Sequence, residues 1–142
     1  MRIYVDTSFL ISLYSLDANS AAAAQTMRNS KGNHLVTMLG ELEFTNALQL
    51  RVFRKEASTD QARASLKDLE SDLRDRVFQL QALTDRAFEE ARKLSQTTTA
   101  RLGARTADLL HVGAALDLQA DRLYTFDQHQ RKLAQSVRLK LN

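Results

Sequence analysis

Four acidic residues of this chain stand at the edges of predicted elements rather than on exposed helix faces. Asp6 directly follows the apolar run IYV, and Asp127 follows LYTF. Glu43 lies in the first turns of a predicted helix. Asp108 lies near the start of another, set among apolar residues in RTADLLH. Because ligands of parallel α/β sheets bind at the carboxyl ends of the strands, this shared placement predicts a common site.

Carboxylates that converge must be neutralised. At ~4 Å and an effective dielectric constant of about 20, each like-charged pair costs on the order of 4 kcal/mol. Oxygen ligands without cysteine favour a hard cation, Mg²⁺ or Mn²⁺, which also binds phosphate. The chemistry typical of such a site is phosphodiester hydrolysis, in which the cation activates water and stabilises charge on the leaving oxygen.

Each acid taken alone also has a structural interpretation. Asp6 and Asp127 are suited to cap the helices that follow them. Glu43 in a first helical turn stabilises the helix dipole. Asp108, flanked by apolar residues, is the hardest to explain without a partner. On the residues alone, the functional and structural interpretations stay open.

Apolar runs alternate with amphipathic segments and define the elements that must position these acids. Four strands are predicted, with a fifth less marked: Arg2–Val5, His34–Thr37, Arg76–Leu80, Asp121–Thr125 and Val137–Leu139. The predicted helices are Ser8–Leu16, Ala21–Asn29, Glu41–Lys55, a helix capped within Ser58–Asp60, Thr84 to Leu94, Arg105–Leu118 and Asp127–Gln135, with a loop at Ser95–Thr99. Strands separated by helices imply parallel pairing and right-handed crossovers. We therefore predict one domain over residues 1–142, an α/β/α three-layer sandwich with a mainly parallel central sheet.

Composition narrows the class of protein. The 142 residues carry 20 Lys and Arg against 17 Asp and Glu, a net charge of +3 that permits an anionic partner. The absence of cysteine excludes disulfides and cysteine-based metal sites. No apolar run approaches the ~20 residues that span a bilayer, and the start lacks signal-peptide features. We expect a soluble, cytoplasmic protein.

Four stretches together resemble the motifs of PIN-domain nucleases. VDTSFL resembles the first motif, TMLGELEFTNAL the second, RTADLLHVGAAL the third and LYTFD the fourth. Their order, context and spacing cover essentially the whole chain. Within that family, the chain most resembles the toxin half of VapBC-type toxin–antitoxin pairs.

The resemblance implies a function and a set of site residues. It implies a Mg²⁺- or Mn²⁺-dependent endoribonuclease that forms a homodimer and is inhibited by a cognate antitoxin. The catalytic and metal-binding quartet maps onto Asp6, Glu43, Asp108 and Asp127. Supporting polar positions map onto Thr7, Ser8, Asn46 and Thr125.

Two carboxylates compete for the second motif. Glu41 and Glu43 are separated by about 200° around a helix, so only one can face the site. The family's spacing favours Glu43.

Cations and histidines complete the sequence-based expectations. Arg101 and Arg105 precede Asp108 and are candidates for RNA phosphate contacts, although a solvated helix start explains them equally well. His111, three residues after Asp108, is expected to pack beneath the site as a buried, hydrogen-bonded residue. His34 and His129 are expected at the surface.

Two rival functions remain open. One is a PIN-fold nuclease with another task, in RNA maturation or on DNA. The other is a non-catalytic α/β binding module whose acids are helix caps. The binding module predicts that Asp→Asn changes leave metal binding unaffected and cost little stability. Under the nuclease interpretation, removing one acid abolishes cleavage and stabilises the metal-free protein. A loss above ~1 kcal/mol for Asp6→Asn in the metal-free protein would favour the capping interpretation.

Overall fold

The computed structural model describes residues 1–142 and contains one five-stranded parallel sheet. The strands are β1 (Arg2–Val5), β2 (Asn33–Thr37), β3 (Phe78–Gln81), β4 (Arg122–Tyr124) and β5 (Lys140–Leu141). Their order is β3-β2-β1-β4-β5. The chain moves outward from β1 to β3 and then returns to the opposite side of β1. The strand order therefore reverses between β1 and β4, the point where α/β sheets open a binding crevice.

Seven helices cover the two faces of the sheet. They are α1 (Thr7–Tyr14), α2 (Ser20–Asn29), α3 (Met38–Phe53), α4 (Thr59–Arg74), α5 (Asp85–Leu102), α6 (Thr106–Asp117) and α7 (Gln128–Ser136). None of them combines the length and apolar character needed to cross a bilayer.

Successive side chains of β1 point to opposite faces of the sheet, so they contribute to two separate cores. Ile3 and Val5 pack with Phe9 and Phe44 in the core beneath helices α1 to α4. Tyr4 points the other way, into the core formed with α5, α6 and α7. The predicted three-layer α/β/α sandwich with a parallel sheet is confirmed.

The expected loop at Ser95–Thr99 is wrong, because α5 runs through it to Leu102. Polar composition suggested a loop, but the hydroxyl of buried Thr98 donates to the Leu94 carbonyl at 2.6 Å. This hydrogen bond lets a threonine sit inside a helix without an unpaired hydroxyl. The helix ends at Gly103, whose φ of 64° suits a residue without a side chain.

Other expected boundaries shift for local reasons. Arg76 has a φ of 60° and forms a turn, so β3 begins two residues later, at Phe78. The strand predicted at Val137–Leu139 is wrong, because Val137 is the C-cap of α7 and Arg138, with a φ of 61°, forms a turn before β5. Helix α3 begins at Met38 rather than Glu41, because the Thr37 hydroxyl accepts from the Gly40 N–H at 3.3 Å. His34, expected at the surface, is buried in β2 and hydrogen-bonded to Ser30.

Close packing of α5 on α6 depends on Gly113. A Cβ atom at this position would lie 2.6 Å from the Ala87 carbonyl oxygen and 2.9 Å from the Ala91 nitrogen, both rigid backbone atoms. We predict that Gly113→Ala lowers the free energy of unfolding by about 1–3 kcal/mol, measured by urea denaturation.

Gly40→Ala is the matched control for Gly113→Ala. The nearest atom to a Cβ at Gly40 is the Val36 Cγ1 at 3.4 Å, an ordinary contact, so helix propensity should leave this variant as stable as the wild type or more so. Equal stability of the two variants would contradict the packing argument.

Candidate active site

Asp6 is buried at the end of β1 and also caps α1. Its Oδ1 accepts from the Phe9 N–H at 3.0 Å and from the Ser8 hydroxyl at 2.7 Å, and its Oδ2 accepts from the Thr125 hydroxyl at 2.5 Å. Only 2% of the residue is exposed. Burial raises the pKa of Asp6, although the hydrogen bonds from Thr125, Ser8 and Phe9 oppose the shift. The metal-free fold therefore holds an ionised Asp6 at a cost.

The two hydroxyls on Asp6 are themselves fixed by the backbone that follows β4. Ser8 accepts from the Phe126 N–H at 2.9 Å, and Thr125 accepts from the Asp127 N–H at 3.0 Å. Each hydroxyl has one proton, and each donates it to Asp6. These hydrogen bonds connect the end of β1 to the end of β4 at the switch point, the place where the strand order reverses.

Glu43 reaches the same place from the second turn of α3. Its Oε1 accepts from the Thr7 hydroxyl at 2.8 Å and is hydrogen-bonded to the His111 Nε2. Partial burial opposes ionisation, but the hydrogen bonds from His111 and Thr7 and the positive charge of Arg105 outweigh it and lower the pKa of Glu43. Glu43 is therefore an ionised carboxylate at neutral pH.

Asp108 and Asp127 are bridged by one guanidinium. Arg105 Nε lies 2.9 Å from Asp108 Oδ2, and Arg105 Nη2 lies 3.3 Å from Asp127 Oδ2. Asp127 also caps α7, because its Oδ1 accepts from the Gln130 N–H at 3.0 Å. The Arg105 side chain is 62% exposed, so this bridge is solvent-screened and can open.

The four acids line one polar cleft of about 230 Å³. Ala107 is its one apolar residue. The remaining lining residues are Thr7, Ser8, Arg105, His111 and Gln130. Thr125 lies buried behind Asp6, whereas Asn46 and Arg101 are exposed and line no part of the cleft.

A larger groove of about 770 Å³ contains none of the four acids. It is lined mainly by apolar residues of α3 and α4, and Glu41 faces it. Glu41 and Glu43 thus line different cavities, in keeping with their separation around the helix.

The cleft's donor set suits a hard divalent cation, although no three acidic or histidine side chains are spaced to hold an ion by themselves. Mg²⁺ commonly takes one or two carboxylates and completes its shell with water. Buried Gln130 lines the cleft and its Oε1 has no hydrogen-bond partner. A cation or its bound water in the cleft would provide a partner for such an unpaired buried atom. The residues therefore fit a partly hydrated cation.

The cleft also contains two residues, His111 and Gln130, that sequence reasoning did not name as site residues. His111 was expected beneath the site and lies there, 2% exposed, but its contact with Glu43 spans 68 residues and no local pattern predicts it. Gln130 looked like part of a polar helix start. Arg105 was expected as a phosphate contact, and its spacing of three residues from Asp108 also indicates the ion pair between them.

Comparison with known proteins identifies the family. The PIN domain family model matches residues 3–136, so the chain belongs to the PIN domain family. Among curated proteins, none matches this chain in sequence.

Solved structures share the fold at low sequence identity. VapC20 of Mycobacterium tuberculosis, described as a Sarcin-Ricin loop cleaving toxin, has a TM-score of 0.71 at 19% identity over 92% of this chain and 93% of its own. VapBC-1 of nontypeable Haemophilus influenzae has a TM-score of 0.69 at 16% identity, over 100% of this chain and 97% of its own. VapBC2 of Rickettsia felis, bound to a DNA fragment from its promoter, has a TM-score of 0.68 at 16% identity, over 100% of this chain and 98% of its own.

The raised pKa of Asp6 makes a signed prediction about stability. A carboxyl whose pKa is higher in the folded state binds protons more tightly there, so the free energy of unfolding falls as pH rises from its ordinary pKa through the raised value. Asp6→Asn keeps an acceptor for Phe9 but carries no charge. In chelator, we expect this variant to gain stability relative to wild type as pH rises through that window, and to be at least as stable near pH 7.

Urea unfolding at a series of pH values measures this difference. Asp60→Asn is the control, because Asp60 is an exposed acid in the first turn of α4. If the difference in free energy of unfolding between the wild type and Asp6→Asn stays constant with pH, the prediction is contradicted. A loss above ~1 kcal/mol near pH 7 would show that capping dominates.

Proposed function

We propose that this protein is a Mg²⁺- or Mn²⁺-dependent endoribonuclease, the toxin of a type II toxin–antitoxin system. One observation carries the proposal. In a PIN-domain chain, four carboxylates from four separate segments line one polar cleft at the switch point of a parallel sheet. We place the activity in the cytoplasm, the compartment that contains its RNA substrate.

Asp6, Glu43, Asp108 and Asp127 are the proposed catalytic and metal-binding residues. A bound divalent cation would supply activation of water and stabilisation of the charge that develops on the phosphodiester. The protein's own part is orientation. Ser8, Thr125 and Thr7 aim hydroxyl protons at Asp6 and Glu43 and so fix the free faces of these carboxylates toward the cleft.

Arg105 is the proposed phosphate contact. Its exposed guanidinium stands at the cleft and carries a planar set of donors that matches phosphate geometry. Arg101 lies in the last turn of α5, outside the cleft, and we keep it as a candidate for a more distant phosphate. Asn46 has no contact that supports a role at the cleft.

A protein partner is supported by a separate surface. Met38 and Leu42 are 58% and 67% exposed and line the apolar groove on α3 and α4. Exposed apolar side chains gathered in one groove are a feature of protein-binding surfaces. Two of the structural neighbours are VapBC pairs, and we propose an antitoxin as the partner here. A homodimer remains the expectation from the family.

One observation favours a second candidate, the non-catalytic binding module. Asp6 and Asp127 both cap helices, which gives each a structural role that needs no cation. Capping uses Oδ1 of each, however, and leaves the arrangement around Glu43 and Asp108 unexplained. A PIN nuclease that acts in RNA maturation or on DNA would share the site and differ only in substrate.

Cleavage assays with matched acid variants test the proposal. We predict that the wild-type protein and Asp60→Asn cleave ribosomal, transfer or messenger RNA in Mg²⁺ or Mn²⁺ but not in EDTA, leaving 5′-phosphate and 3′-hydroxyl ends. Asp6→Asn should lower this activity by more than about 100-fold. Replacing a residue that only contacts a metal ligand typically costs 10–100-fold, and replacing the ligand itself should cost more.

Other outcomes separate the alternatives. Equal cleavage by wild type and Asp6→Asn would place the activity elsewhere. Cleavage confined to a DNA oligonucleotide would replace the substrate. No cleavage of any RNA, combined with no binding of Mn²⁺ by calorimetry, would favour the binding module.

A further inference from the structure

The buried side chain of His111 belongs to no step of the function proposed above, yet it touches the site. The residue is 2% exposed, and its imidazole contacts Tyr4 of β1 and Glu43 of α3. Nδ1 lies 2.8 Å from the Tyr4 hydroxyl, and Nε2 is hydrogen-bonded to Glu43 Oε1, with the Thr7 hydroxyl at 3.4 Å. Both ring nitrogens are therefore used, one toward the core and one toward the cleft.

The proton positions along this chain of contacts can be worked out from Thr37. The Thr37 hydroxyl accepts from the Gly40 N–H at 3.3 Å and lies 3.0 Å from the Tyr4 oxygen, the one acceptor within its reach. Thr37 therefore donates to Tyr4. Burial raises the pKa of Tyr4, so its hydroxyl keeps a proton and donates it to His111 Nδ1. Nδ1 is the acceptor, and the ring proton is on Nε2.

The Nε2 proton is what Glu43 needs. A bare Nε2 facing Oε1 would place two acceptors against each other, whereas an N–H donates to the carboxylate. Oε1 then has two donors, His111 and Thr7, while Oε2 has none within the protein. Because Glu43 lines the cleft, its unpaired oxygen is the one left for a ligand there.

We propose that His111 is a positioning residue: the relay Thr37–Tyr4–His111 fixes one tautomer of the imidazole and thereby fixes Glu43 with Oε1 held and Oε2 presented to the cleft. This inference rests on the proposed function for its consequence, cation binding, but not for its geometry. Histidine in contact with a ligating carboxylate orients the ligand, and loss of such a contact typically costs 10–100-fold in metal affinity or activity.

Two amide substitutions separate positioning from packing. In His111→Gln the side-chain NH₂ reaches the place of Nε2 and can still donate to Glu43. In His111→Asn the NH₂ takes the place of Nδ1 and stops short of Glu43. Both bury one uncharged amide, so folding costs are matched. Direct titration with Mn²⁺ by calorimetry is the readout, with urea unfolding measured in parallel.

We expect His111→Asn to bind Mn²⁺ at least about tenfold more weakly than wild type and His111→Gln to stay within about threefold. His34→Asn, which removes the other buried histidine away from the cleft, should lose stability and keep the wild-type affinity. Equal affinity of both His111 variants, whether both match wild type or both are weakened alike, would overturn the proposal. Should His111→Asn fail to fold, Tyr4→Phe, which removes the donor to Nδ1, must weaken binding in the same direction.

The tautomer is tested without any metal. A long-range ¹H–¹⁵N correlation spectrum of the metal-free protein should show His111 protonated on Nε2 alone, and Tyr4→Phe should alter that signature. A ring protonated on Nδ1 alone would overturn the proposal. If the tautomer is as expected and wild type neither binds Mn²⁺ nor cleaves RNA, it is the proposed function that fails, and the orientation of Glu43 stands.

Discussion

Mutual repulsion of carboxylates gathered in one small cleft is the constraint on which the rest of this structure depends. Three different sets of partners balance the four acids. Asp6 takes two hydroxyls and a backbone N–H, Glu43 takes His111 and Thr7, and Asp108 and Asp127 share the guanidinium of Arg105. Only the last set carries a full positive charge, and it is also the most exposed, so it is the one that a cation can replace with least disturbance.

The fold brings two of these acids together without long connecting loops. Reversal of the strand order between β1 and β4 places the two strand ends side by side, and each is followed at once by a helix whose N-cap is an acid. Capping and ligation therefore share the same residues. The capping hydrogen bond holds one carboxylate oxygen and fixes the rotamer, and the other oxygen keeps its direction. From the sequence, helix capping and metal binding were alternative interpretations of Asp6 and Asp127, whereas the geometry allows each residue to do both.

Much of the fold could be predicted from local pattern, and the misses have physical reasons. The continuous apolar runs of the strands and the order of the elements were enough to predict a parallel three-layer sandwich, because strands buried on both faces are apolar along their whole length. The loop assigned to Ser95–Thr99 was wrong, since composition cannot show that Thr98 pairs its hydroxyl within the helix. The buried position of His34 depends on Ser30 and on neighbours in the sheet.

The candidate site was predictable at its acids and not in what surrounds them. Asp6, Glu43, Asp108 and Asp127 lie at element edges that the sequence reveals, and the structure brings them to one cleft. The partners of these acids come from distant segments, such as His111 for Glu43 and Thr125 for Asp6, and no spacing rule reveals such pairs.

Anomalous diffraction from crystals grown in millimolar Mn²⁺ tests the central claim most directly, because it locates the cation among the four acids without relying on a substrate. The account predicts a manganese peak in the cleft, bound by at least one carboxylate oxygen at about 2.1 Å, with Arg105 withdrawn from Asp108 and Asp127. A cleft without manganese, in which Arg105 still bridges the two acids, would contradict it.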